Sequence, residues 1–168
     1  MVRFAKKNNI KTAVNPSQEQ IIFSRKNFPQ ADVLFLNEQE AQMFFPQERN
    51  QKQLLVKIAK VSLGIVVITQ GQRCCVVWDG AKFYSAQANP KIKSKERTGA
   101  GDGFGAGFTT GLFLKNNIQY SIRLGFGNSE GCIQQVGAKN GLLKKNDLPN
   151  LPNYNIIRTY ALASNLSF

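Results

Sequence analysis

Apolar and polar positions alternate on two length scales along the 168 residues. "ADVLFLN" (31–37) and "GIVVITQG" (64–71) are near-continuous apolar runs too short for helices. Such runs mark strands buried on both faces of a parallel sheet. Between them "EQEAQMFF" begins a helical pattern directly after Asn37, and "KQLLVKIAKV" spaces Leu54, Leu55, Ile58 and Val61 as one helical face. Upstream, "VRFAKKNNI" reads as the end of an amphipathic helix and "KTAVNP" as a short buried strand stopped by Asn15-Pro16. A helix follows there, with Asn15 as its cap, Pro16 in its first position, and Ile21, Ile22 and Phe23 as part of its apolar face. Downstream, "CCVVWDGAKFYSA" predicts two strands joined by a type I′ turn at Asp79-Gly80. Gly99 to Leu114 predicts a helix whose first turn is "GAGD" and whose apolar face is Phe104, Phe108, Leu112 and Phe113. A further helix is expected from Ser121 to Val136, and a loop-rich tail after Gly141. Strands alternating with helices imply an α/β fold: a mainly parallel sheet flanked by helices, with an antiparallel hairpin toward the C-terminus, in a single domain spanning 1–168.

Composition narrows the function classes. A chain of this length can stand on its own core. Cys74, Cys75 and Cys132 show no CxxC spacing and the chain has no histidine, so a zinc site would lack its usual ligands. A reduced, cytoplasmic setting is the simpler expectation, and no apolar run approaches a membrane span. Lys and Arg outnumber Asp and Glu by 22 to 10, a formal charge of +12 that suits anionic partners. The densest basic patch, "PKIKSKER", has no interleaved aromatic on which a base could stack, which argues against nucleic acid.

The chemistry concentrates in "KERTGAGDGFGAGF", residues 95–108. Gly101-x-Gly103-x-x-Ala106 meets the relaxed dinucleotide pattern, yet it follows a charged loop where that fingerprint needs a buried strand. There is no GxxxxGK[ST], so a P-loop is excluded. Glycines that merely allow a tight turn and close helix packing are one remaining reading. The other is an anion cradle, in which the backbone N–H groups of a helix N-terminus face a phosphate and Asp102, in the first turn, stays ionised and accepts the proton of an attacking hydroxyl.

"ERTGAGDGFGAGF" resembles the C-terminal signature of the PfkB (ribokinase-like) carbohydrate kinases. "VNP", "ADVLFLNEQEA", "VVITQGQRCCVVWDG" and "GNSEGCIQQVGAKNGL" resemble family segments in the same order, from about residue 10 to residue 143. The resemblance implies a ribokinase-like fold and transfer of a phosphoryl group from ATP to a hydroxyl of a sugar or sugar acid. It makes Asp102 the catalytic base and the backbone of Gly99, Ala100 and Gly101 the anion hole. Asn37 and Glu40 match a motif that helps place Mg2+ and the nucleotide phosphates, Glu40 through water; a helix cap is the plainer reading of "NEQE". Thr69 and Gly71 match the nucleotide-binding turn, and Asn128 a position beside the adenine.

Three departures matter. Where the family signature opens Asp-Thr-Thr, this chain has Glu96-Arg97-Thr98, and the implied monovalent-cation (K+) loop falls at Glu96 and Thr98. The nucleotide turn runs Gly71-Gln72-Arg73-Cys74 where the family has Gly-x-x-Gly, so a side chain enters where the backbone is bare. The family's sugar-binding N-terminal half and its lid have no counterpart. The chain is therefore expected to be the C-terminal, nucleotide-binding portion of such a kinase, completed by a separate N-terminal half or by self-association, with a non-catalytic nucleotide-binding module as the alternative and a basic nucleic-acid-binding domain as a third.

Overall fold

The computed structural model describes residues 1–24, 28–71 and 73–160. The described residues divide into two compact units: one takes those within Met1–Gln70, Cys75–Ser85 and 157–160, the other those within Gly71–Cys74 and Ala86–Ile156. Among the described residues the sheet has six strands in the order β1-β2-β3-β4-β5-β6: β1 Ala13–Val14, β2 Val33–Asn37, β3 Ile65–Thr69, β4 Cys74–Trp78, β5 Lys82–Gln87 and β6 Ile156–Tyr160. The pairs β1/β2 and β2/β3 are parallel, and β3/β4 is antiparallel.

In the first unit the two apolar runs form β2 and β3, with Val33–Leu36 and Val66–Ile68 buried. Helix α4 (Gln51–Val61), capped by Asn50 on the Gln53 amide, presents Leu54, Leu55 and Ile58 to a core that also holds Ile21, Leu34, Leu36, Val66 and Ile68. Fully burying each such side chain contributes about 1.5–3 kcal/mol. Val61, expected on that face, is half exposed at the last residue of the helix.

The N-terminal segment departs further from expectation. Helix α1 (Val2–Lys7) forms as read, but β1 is an edge strand with Ala13 exposed and Val14 only half-buried, since it pairs on one side alone. Helix α2 (Gln18–Ser24) is capped by Ser17 rather than Asn15: the Ser17 hydroxyl accepts from the Gln20 amide at 3.4 Å, and Gln20 Oε1 takes the Ser17 amide at 3.0 Å. This is a Ser-x-x-Gln capping box. Of the three apolar residues assigned to its buried face, Ile21 alone is buried; Ile22 and Phe23 are 65% and 86% exposed, as adjacent positions on a helix point in different directions.

The turn between β4 and β5 is wider than a type I′ turn. That turn needs positive φ at both central residues. Gly80 has it at +100°, but Asp79 does not; its carboxylate instead accepts from the amides of Ala81 (2.9 Å) and Lys82 (2.7 Å) and from the Tyr84 hydroxyl (2.8 Å).

The second unit is built on a helix pair, α5 (Ala100–Lys115) and α6 (Ile118–Ile133), joined through Asn116 and Asn117. Gly103, Gly107 and Gly111 recur every fourth residue along α5, so they share one face. At Gly107 an added Cβ would stand 2.4 Å from Leu124 O, and at Gly111 2.5 Å from Ser121 Cα; the backbone of α6 occupies that space. On the facing helix Gly125 admits the Phe104 ring, which also meets Phe126 edge-on at 5.3 Å between centroids. Phe104 and Phe108 are buried, whereas Phe113, expected beside them, is 90% exposed. The tail is more structured than its composition suggests: Lys145–Asn150 forms a 3-10 turn and Ile156–Tyr160 forms β6 beside β5. Arg123 holds it through the carbonyls of Leu151 and Pro152.

Candidate functional site

The residues singled out in the sequence fall in both units. In the first, Asn37 and Thr69 are register partners at the carboxyl ends of β2 and β3, where ligands to parallel sheets collect. Asn37 caps α3 (Glu38–Phe44): its Oδ1 accepts from the Glu40 amide at 2.8 Å, and Glu40 Oε2 accepts from the Asn37 amide at 2.7 Å. The plainer reading of "NEQE" is thus built, and it fixes a half-buried carboxylate at a strand end. A hydrated magnesium ion needs one or two carboxylates beside phosphate oxygens and waters. Glu40 offers one already held by an amide, which fits contact through water and not a protein cage. Among the described residues, no cluster of three His, Cys, Asp or Glu side chains could hold a metal.

In the second unit, the α5 N-terminus carries Gly99, Ala100, Gly101 and Asp102. Gly99 is the N-cap, with φ +82°, a left-handed conformation that favours glycine. Its missing Cβ is a second requirement, because one would stand 2.4 Å from Ala138 O. Gly101 is different. Its φ is not positive, it is exposed, and an added Cβ would meet nothing within 4 Å. Asp102 follows it in the first turn, also exposed. Both stand where amide groups and the positive end of the helix dipole favour an anion.

The segment leading into α5 is fastened to the end of α6. The amides of Lys95 and Glu96 donate to Ile133 O at 2.7 and 3.3 Å. Glu96 Oε2 accepts from the Gly137 amide at 2.8 Å, which with the Thr98 hydroxyl holds the Glu96 carboxyl below its ordinary range. The buried Cys132 thiol donates to Ala138 O at 3.2 Å and lies 3.5 Å from Thr98 O. Cys132 and Ala138 were not legible as partners of this loop, since nothing in their spacing marks them. Asn128, on α6, accepts from the Leu143 amide at 2.9 Å through Oδ1 and so ties down the start of the tail. Gly71 has φ +58°, and the amide of Ala88 donates to Arg73 O at 3.0 Å; Gln72 of that turn lies outside the described residues.

The family model for pfkB family carbohydrate kinases matches residues 2–145. The chain belongs to that family. Among its curated relatives, ribokinase of Lactococcus lactis is 31% identical over 156 residues, 88% of this chain and 47% of that protein. Fructoselysine 6-kinase of Escherichia coli is 34% identical over 94 residues, 55% of this chain and 36% of that protein. This pfkB chain therefore spans about half the length of the ribokinases it matches. Among solved structures, a putative sugar kinase from Clostridium perfringens superposes with a TM-score of 0.78 at 19% identity, covering 92% of this chain and 50% of that one. Ribokinase from Thermotoga maritima gives 0.76 at 20% identity over 89% and 51%. The fold is ribokinase-like.

Proposed function

We propose that the chain is the nucleotide-binding and catalytic-base half of an ATP-dependent kinase that phosphorylates a hydroxyl of a sugar or sugar acid. One observation carries the reading beyond family membership. Gly101 is a glycine that neither backbone conformation nor packing explains, in the first turn of α5 beside an exposed carboxylate. Close approach of a ligand would explain it. In this reading the amides of Gly99, Ala100 and Gly101 receive the transferred phosphoryl oxygens, and Asp102 Oδ takes the proton of the acceptor hydroxyl as the new P–O bond forms. Asn37, Thr69 and Gly71 take the nucleotide, with Glu40 meeting magnesium through water. Bound magnesium supplies charge neutralisation on the phosphates. Asn128 serves by fixing the 142–143 segment as a wall of the adenine site. The acceptor is selected by the sugar-binding half of the complete enzyme.

The test is calorimetric titration of the purified chain with MgATP, with Gly101→Val as the control. That control suits better than a change at Gly99, whose substitution would disturb the fold by itself. Saturable binding by the parent chain, lost in a Gly101→Val protein with an unchanged circular dichroism spectrum, is the expected result. Equal binding by both proteins, or none by the folded parent, would overturn the assignment.

A further inference from the structure

Three oxygen acceptors meet donors from the end of α6 and the loop after it: the carbonyls of Thr98 and Ala138 and the carboxylate of Glu96. At this loop the sequence resemblance implies a monovalent cation at Glu96 and Thr98. The structure puts protein donors there instead. Glu96 Oε2 takes the Gly137 amide and the Glu96 carboxylate also takes the Thr98 hydroxyl, while the carbonyls of Thr98 and Ala138 face the Cys132 thiol, whose residue is 1% exposed. Ala138 is also the residue whose carbonyl would stand 2.4 Å from a Cβ at Gly99. Ala138 thus packs directly against the N-cap of α5.

We propose that Cys132 is a positioning residue: its thiol, with the Gly137 amide and the Thr98 hydroxyl, fastens the 96–99 segment to the 137–138 segment as a bound monovalent cation would, so that the Gly99–Gly101 backbone is set without one. The proposal rests on the reading of that backbone as an anion hole. It predicts a chain indifferent to potassium until the thiol is removed.

Amide hydrogen exchange followed by mass spectrometry on peptides covering 95–103 and 134–141 tests this without nucleotide. Exchange is compared in choline chloride and in potassium chloride at equal ionic strength. The parent chain should exchange at the same rate in both salts. Cys132→Ala should exchange about three- to tenfold faster in choline, the loss of one hydrogen bond, and recover part of its protection in potassium. Cys132→Ser, which keeps a donor, should stay near the parent. Potassium-dependent protection of the parent chain would overturn the proposal, as would a Cys132→Ala protein that exchanges like the parent in choline. Should Cys132→Ala fail to fold, the parent's salt comparison and the Ser variant decide. As no nucleotide is present, failure here is distinguishable from failure to bind MgATP.

Discussion

Replacing glycine by alanine along α5 should change the sign of the stability effect from one position to the next, and Gly101 is the position that should improve. A helical glycine costs about 0.5–1 kcal/mol relative to alanine, largely because the unfolded chain loses more freedom. At Gly101 the new methyl meets nothing within 4 Å and φ needs no adjustment, so that gain comes without offset. At Gly107 the same methyl would stand 2.4 Å from Leu124 O, a backbone atom of the partner helix. It would have to push the helices apart, at about 1–3 kcal/mol. At Gly99 the clash with Ala138 O at 2.4 Å adds to a left-handed φ, which costs about another 1–3 kcal/mol. Urea unfolding followed by circular dichroism separates these. With a slope of about 2 kcal/mol per M, Gly101→Ala should raise the midpoint by about 0.3–0.5 M, while Gly107→Ala and Gly99→Ala should lower it by more. The stabilised Gly101→Ala protein should nonetheless bind MgATP more weakly than the parent. A lowered midpoint would refute the open-space argument, and unchanged affinity would refute the claim that a ligand, rather than the fold, asks for this glycine.

Two other predictions concern charge. In an assembled, active enzyme, Asp102→Asn should lower turnover by about 10²–10⁴-fold while ATP affinity holds, because it removes the base and leaves the cradle; steady-state kinetics with equal turnover in both proteins would sink the assignment. The buried Glu130 accepts from the Asn89 amide at 2.8 Å and the Tyr154 hydroxyl at 2.9 Å, so Tyr154→Phe should cost about 1–3 kcal/mol in urea unfolding by leaving one carboxylate oxygen without its donor. Burial, then the bond and charge of Glu130, also push the Tyr154 phenol's pKa well up. The unfolded chain therefore releases that proton first, and stability should fall as pH rises above about 10, a loss that Tyr154→Phe should remove.

The apolar runs made β2 and β3 legible, since their buried stretches leave little choice of element, and the helical spacing of Leu54, Leu55 and Ile58 did the same for α4. Legibility fell where partners decide. Ile22, Phe23, Val61 and Phe113 are apolar by sequence yet exposed, because their positions on a helix, and not their chemistry, set what they meet. Strand β6 was hidden inside a loop-rich tail because only its pairing beside β5 makes it a strand. The capping pair Asn37 and Glu40 could be read from spacing, whereas Cys132 and Ala138 could not, since their contacts with Thr98 and Gly99 cross 34 and 39 positions of sequence.

The glycine cluster shows why motif and packing were confounded. Gly103, Gly107 and Gly111 answer to α6, at a period of four that any close helix pair could demand. Gly99 answers to its own φ and to Ala138. In sequence these causes interleave within a few residues, so either explanation alone accounts for the stretch. Only when each position is asked what its missing methyl would strike do they separate, and Gly101 is left over. Helix propensity is surrendered there although nothing in the chain presses on the position, which is what the proposed ligand would explain. Beside Gly101 stand an exposed carboxylate and the positive end of the α5 dipole, a pairing that, on the proposed reading, suits a phosphoryl group whose charge is shared by a metal and an acceptor hydroxyl with a proton to lose.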